Sequence, residues 1–374
     1  PIGGPPLREL ARGARKVLIV ADDGTRLTPT ERILPVLLEE LNAVGISDEA
    51  ITLLIALGTH RAMTPSEIEQ KFGREVVGRV QVLNHNAFEP SLLVDLGTTP
   101  GGVHVQVHRL APEADLVIGV GSIVPHHIPG FSGGAKIIQP GICGEQTTGE
   151  VHLLSVRHPF SLLGRQENQV RQEMEAIAEQ AGLRMIVNVV LDRQGRVAGV
   201  FVGEPRAAFR QGVSLSRRIY GVEVPGQADI VVASSHPCDS EFWQAHKTLY
   251  PAELCVRPGG TIIVVTPCPE GVSATHPEVL EFASWPKAEI DAAIRAGKMD
   301  DLVAGALTLA WAGTREKAEV FLVSGGISPE EARALGFRPF PSVQDALGAA
   351  FARHGPDARV MVLPYAPDIL PLLP

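Results

Sequence analysis

The chain has 374 residues, 45% of them hydrophobic and 20% charged, which is enough apolar material for two ordinary cores and makes two domains the default. A formal net charge of −9 without basic runs excludes a nucleic-acid binder that works by neutralising phosphates, yet leaves room for a small anion where arginine and lysine dominate locally. The longest apolar runs, such as TIIVVTP and AGVFV, are strand-length, so a soluble protein with no membrane span is expected. No signal peptide, short repeat or low-complexity tract is visible. Cys143, Cys238, Cys255 and Cys268 form no CxxC pair, which fits reduced thiols in a cytoplasmic protein better than a disulfide framework or a zinc site.

In chain order, the first predicted strand is VLIV, followed by Asp22, Asp23, Thr25 and Arg26. In open α/β sheets ligands bind beyond the carboxyl ends of the strands, so polar residues here are placed for function. Thr28, Pro29 and Glu31 read as a helix start with Pro29 at the first helical position. Arg26 then lies in a strand-to-helix loop, where its guanidinium can fork onto a carboxylate or phosphate; an N-cap with a surface ion pair is the other reading. The pattern recurs in ITLLIAL, which ends in Gly58-Thr59-His60-Arg61 before a Thr64-Pro65-Ser66-Glu67 helix start. QVLNH is a further strand, and DLVIGVGS delivers His126 in the same way. Three strand ends on one edge of a parallel sheet would bring Arg26, His60 and His126 into one crevice.

The segment PHHIPGFSGGAKIIQPGICGEQTTGEVH places Lys136 after two glycines, between His126 and His152. Glycines let backbone approach a bulky ligand, and the lysine supplies a charge or a covalent nitrogen. The segment reads as a cofactor site or as a surface turn with solvated histidines. Cys143 reads as a small buried hydrophobe. MIVNVVLD closes the first domain, residues 1–207, with the boundary near Pro205 to Gln211. The second domain, residues 208–374, has strands DIVVAS, GGTIIVV, KAEVFLVS and RVMVLP and helices such as SVQDALGAAFARHG. After DIVVAS, Gln244 and Lys247 share a helix face at i, i+3, with Trp243 beside them as an aromatic wall; Lys247 also fits a solvated face. Trp311 fits either a second wall or core packing. His85, His127, His236 and His246 are assigned no catalytic role. The expected fold is α/β, two domains with mostly parallel sheets and the active site in the cleft between them.

Four motifs, Asp22-Asp23-Gly24-Thr25-Arg26, Gly58-Thr59-His60-Arg61, His126 through Lys136 to His152, and Gln244-Ala245-His246-Lys247, give the chain a resemblance to the nickel-pincer-dependent lactate racemase family of 2-hydroxyacid racemases and epimerases. PIGGPPL and NVVLDRQGRVAGVFVGEP extend it over essentially the whole chain, although that family usually carries a further N-terminal segment. The resemblance implies that Lys136 holds a nickel-pincer nucleotide through a thioamide, with Asp23 and Thr25 near it. His152 would complete a planar Ni(II) site, a donor set that suits that ion. His60 and His126 resemble the paired acid/base residues, and Arg26, Gln244 and Lys247 the contacts to the substrate carboxylate and hydroxyl. The implied substrate is a 2-hydroxy acid, and the implied partners are the enzymes that make the cofactor. No extra arginine beside the motifs marks a second carboxylate, so a short-chain monocarboxylic acid is preferred. Two other classes use some of the same residues: a histidine-metal-dependent hydrolase or lyase, which would add carboxylate ligands, and a non-catalytic protein binding an anionic metabolite through Arg26 and Lys247.

Overall fold

A computed structural model describes all residues, 1–374. The chain forms two compact units, one of residues 1–154 with 165–219 and the other of residues 155–164 with 220–374. No helix is long and apolar enough to cross a membrane.

The first unit is built on a six-stranded sheet of β1 (Val17–Asp22), β2 (Ile51–Ala56), β3 (Gln81–Asn84), β4 (Leu116–Ser122), β5 (Leu183–Leu191) and β6 (Val197–Gly203). Their spatial order is β6-β5-β4-β1-β2-β3. All neighbours run parallel except β5 and β6, an antiparallel edge pair. Every residue of β1 and β4 is buried, as expected of central parallel strands covered on both faces. The helix Thr30–Asn42 covers one face with Leu34, Leu37, Leu38 and Leu41. Each such leucine contributes roughly 1.5–3 kcal/mol when fully buried. β1 therefore has neighbours on both sides, and its carboxyl end lies between those of β2 and β4.

The two expected helix starts differ. Thr64 forms a full capping box with Glu67, with Pro65 at the first helical position, as the sequence predicts. Pro29 instead stands just before the helix Thr30–Asn42, and Thr28 does not cap it: its hydroxyl donates to Asp22 Oδ2 at 2.6 Å. A buried carboxylate six residues upstream is the stronger acceptor. The antiparallel hairpin Leu93–Thr98 with His104–His108 is an addition to the expected elements.

The second unit carries a parallel five-stranded sheet of β7 (Ala228–Ser234), β8 (Val256–Thr266), β9 (Glu319–Ser324), β10 (Arg338–Pro339) and β11 (Val360–Leu363), in the order β10-β9-β8-β7-β11. Ile230, Ile263 and Phe321 from its strands pack with Ala346 and Ala350 of the helix Val343–His354. Trp311 is fully buried, which resolves its two sequence readings in favour of the core. The four cysteines are free, and Cys143 is buried as expected, its thiol pushed up by desolvation.

Candidate active site

At the carboxyl end of β1 the side chains form one connected network. Asp23 is buried; its Oδ1 accepts from the Thr25 amide at 3.0 Å and the Thr25 hydroxyl at 2.5 Å, and its Oδ2 lies 2.6 Å from His60 Nδ1. Arg26 Nη1 donates to the Thr25 hydroxyl at 3.0 Å and to the Thr25 carbonyl at 3.2 Å. Burial alone would raise the Asp23 pKa, but the charge and hydrogen bond of His60, with Arg26 and the Thr25 hydroxyl, hold it well below the usual carboxylate range. A charged carboxylate only accepts, so the hydrogen-bond network assigns the His60 proton to Nδ1 and, in the neutral ring, the lone pair to Nε2. A carboxylate holding an imidazole in that tautomer is the orienting half of a general-base dyad.

Asp22 differs from its neighbour. Burial pushes its pKa up against the opposing pull of Lys71 and Thr28. Lys71 Nζ lies 3.3 Å from Asp22 Oδ1 and donates to the Arg26 carbonyl at 2.6 Å and the Thr28 carbonyl at 3.1 Å, closing the loop that carries Arg26. Sequence reasoning missed Lys71. It stands in the last turn of the helix Pro65–Phe72, where a lysine reads as a complement to the helix dipole.

Beyond β4 the histidines rest on backbone. His126 lies in a two-residue bridge, Pro125–His126 with Gly130–Phe131. Its Nδ1 accepts from the Ile128 amide at 3.1 Å, so its neutral ring carries the proton on Nε2, the opposite tautomer to His60. The His127 ring stacks on it at 4.6 Å. Two glycines then set the loop before Lys136: Gly133 has φ 78° and Gly134 φ 58°. A Cβ on Gly133 would meet Ile123 at 2.6 Å and the Asn188 side chain at 2.9 Å, and one on Gly134 would meet the Phe209 ring at 3.0 Å. Only glycine fits either position. Half-buried Lys136 lies in the single 3-10 turn Gly134–Ile137, and Ile137 packs where a Cβ on Gly119 of β4 would stand, 2.6 Å away. His152 lies in the helix Glu145–Val156, where its Nδ1 donates to the Thr148 carbonyl one turn back at 2.7 Å. That bond places the lone pair on Nε2, the usual preparation of a metal-binding imidazole.

In the second unit, Gln244 lies in the turn Phe242–Ala245 and Lys247 in the next, and the Lys247 amine donates to Gln244 Oε1 as their spacing predicts. Trp243 is 4% exposed, its ring stacked on His276 at 4.0 Å and met edge-on by Trp311 at 6.4 Å, and Gln244 beside it is buried as well. His276 is itself held by Asp301, Nδ1 to Oδ2 at 2.5 Å.

Asp23, Thr25, Arg26 and His60 are thus joined in one network, His126 and Lys136 share the segment after β4, and His152 follows on the next helix. A carboxylate-backed imidazole and a second imidazole of opposite tautomer follow the two strands that flank β1 in one sheet, an arrangement compatible with general acid–base chemistry. Residues 1–164 match the lactate racemase N-terminal domain, and residues 224–369 the lactate racemase C-terminal domain. The lactate racemase of Lactiplantibacillus plantarum is 31% identical over 369 residues, covering 97% of this chain and 87% of that protein. The lactate racemase of Thermoanaerobacterium thermosaccharolyticum is 34% identical over 275 residues, 72% of this chain and 64% of that protein. The solved lactate racemase apoprotein from the latter organism superposes with a TM-score of 0.90 at 28% identity, covering 100% of this chain and 90% of that one. A Thermotoga maritima protein, 22% identical, shares the fold with a TM-score of 0.78 over the whole of both chains. The chain belongs to the lactate racemase family and is an isomerase, a racemase.

Proposed function

We propose that this racemase interconverts the enantiomers of a short-chain 2-hydroxy monocarboxylic acid such as lactate, with His60 and His126 as its acid/base pair. The observation that carries the reading is the unlike wiring of the two imidazoles, one held at Nδ1 by a carboxylate and the other by a backbone amide. Direct removal of the α-proton of a hydroxy acid is difficult because that carbon acid is weak. Loss of the hydroxyl proton together with a hydride gives a flat keto acid that can be restored from either face. His60 Nε2 takes the hydroxyl proton of one enantiomer while Asp23 stabilises the imidazolium that forms. His126 presents Nε2–H to the oxygen in its other orientation as a hydrogen-bond donor; it can take the hydroxyl proton at Nε2 only once its own proton has moved to Nδ1, which requires Nδ1 to release the Ile128 amide. Arg26, Gln244 and Lys247 are the proposed anchors of the substrate carboxylate and hydroxyl, fixing the carbon while its faces exchange.

The residues after β4 suit a nickel-pincer nucleotide. Gly133 and Gly134 let the loop pack tightly on Ile123, Asn188 and Phe209, Lys136 at its end offers an amine for a thioamide, and His152 presents an oriented Nε2. The side chains assemble no group of three or more histidines, cysteines, aspartates or glutamates able to hold an ion, so a metal at His152 would take its remaining donors from such a cofactor. When bound, the cofactor supplies the acceptor and donor of the hydride. Enzymes that build the cofactor are the proposed partners, and the cytoplasm the proposed location.

The test is chiral analysis of a panel of enantiopure 2-hydroxy acids incubated with protein produced alongside the cofactor-synthesis enzymes. Short monocarboxylic acids should racemise from either enantiomer. Racemisation confined to dicarboxylic or sugar acids would overturn the substrate class, and none at all would overturn the function.

A further inference from the structure

Arg171 is the largest charged side chain in the interior, 1% exposed on the helix Gln169–Gln180. It makes no hydrogen bond to a carboxylate. Its Nη1 donates to the Gly133 carbonyl at 3.0 Å, its Nη2 donates to the Phe131 carbonyl, and its guanidinium lies 4.1 Å from the centre of the Phe209 ring. Nε has no partner. Burial pulls its pKa down to about 10, with Glu175 and Glu167 opposing, so it stays charged at neutral pH. Burying a guanidinium this way is costly, and an apolar side chain would fill the space without that cost.

The charge grips one short piece of chain. Phe131 and Gly133 lead directly into the turn of Lys136, and the Phe209 ring under the guanidinium also closes against Gly134. Asn188 Oδ1 accepts from the Gly134 amide at 2.8 Å on the other side. Asn168, the cap of the same helix, accepts from the Arg171 amide at 2.9 Å and donates to the Pro129 carbonyl at 3.1 Å. The first turn of this helix therefore holds the chain at 129, 131 and 133, each time through a carbonyl.

We propose that Arg171 is a positioning residue for Lys136: its planar fork fixes the two carbonyls that set the backbone from which the amine projects. The inference rests on the reading of Lys136 as the cofactor attachment point. A lysine at 171 keeps the charge and can reach one carbonyl; a methionine keeps the bulk and reaches none.

The experiment compares the full-length parent with Arg171→Met, Arg171→Lys and Lys136→Ala. Without cofactor, Lys136 acetylation by a water-soluble active ester is followed by peptide mass spectrometry, with exposed Lys16 as internal standard. Intact mass then gives the adduct fraction in protein made with the cofactor-synthesis enzymes. In Arg171→Met the Lys136-to-Lys16 ratio should change and the adduct fraction fall, each by about tenfold, as expected for loss of charge-assisted hydrogen bonds. Arg171→Lys should recover part of both. A parent-like ratio in Arg171→Met would overturn the proposal, as would failure of both Arg171 variants to fold, since the residue would then serve packing at large. An adduct that persists in Lys136→Ala would instead overturn the attachment reading, with the acetylation ratio still deciding the role of Arg171.

Discussion

Where β1 and β2 end, the Asp23 carboxylate holds His60, Arg26 bonds the Thr25 hydroxyl that donates to Asp23, and Lys71 ties the loop back to Asp22. Beyond β4 and around the helix of His152, the imidazoles are held by backbone: His126 by the Ile128 amide, His152 by the Thr148 carbonyl, and His85 by the Cys143 carbonyl at 2.9 Å. The two regions lie on one sheet but prepare a ring for different tasks. A carboxylate contact accommodates an imidazolium, so the ring can gain and lose a proton. A backbone amide pointing at Nδ1 favours the neutral ring with a fixed tautomer. Lys136 and His152, proposed to hold a cofactor, lie in the backbone-held region, and the residue proposed to accept the first proton lies in the charged one.

The difference can be broken first at its charge. Asp23→Asn keeps an acceptor for Thr25 and removes the charge behind His60, so racemisation should slow by about 100-fold or more with KM little changed, measured by steady-state chiral analysis. A fall of only a few-fold would put His60 on the same footing as His126.

The backbone-held region has its own signature in acid. Burial pushes the His85 pKa down to about 4, against the raising effect of its bond to Cys143, so the folded protein keeps this ring neutral where the unfolded chain protonates it. Its contribution is complete above about pH 6.5 and is lost as the pH falls toward 4, on the order of 1–3 kcal/mol in all. The melting temperature should therefore drop between pH 7 and pH 4.5, and His85→Leu should flatten that slope. Asp23 adds little to it, since its depressed carboxyl loses its contribution only below about pH 5, where the unfolded chain protonates it. A slope unchanged by His85→Leu would show that acid acts elsewhere.

The smallest change expected is at the Gly133-Gly134 loop. Gly134→Ala forces a side chain into φ 58° against Phe209 and should cost about 1–2 kcal/mol in chemical denaturation, with the adduct at Lys136 reduced as well. An unchanged midpoint would mean that the turn adapts, and that this loop is less rigid than the charged network.

Much of this was legible in the sequence. Continuous apolar runs ending in polar clusters marked β1, β2 and β4 and put Arg26, His60 and His126 at one edge. The hairpin Leu93–Thr98 with His104–His108 was not, because its burial pattern is mixed and it lacks such a run. Thr28 was misread as part of a helix start because a local rule takes no account of a buried acceptor six residues away. The ring partners of Trp243, His276 and Trp311, were not legible, because they lie tens of residues away in sequence. Arg171 left a usable trace: it shares the buried side of its helix with Met174 and Ala178, at i+3 and i+7, where periodicity calls for an apolar residue.

The central claim is that His60 and His126 rest in opposite tautomers. Long-range proton–nitrogen NMR of the full-length protein with 15N-labelled histidine reads this directly, with the two rings assigned by their loss in His60→Gln and His126→Gln. At neutral or mildly alkaline pH the neutral His60 ring should carry its proton on Nδ1 and the His126 ring on Nε2. The same tautomer in both rings would contradict the account, and the two histidines would then have to be treated as an equivalent pair.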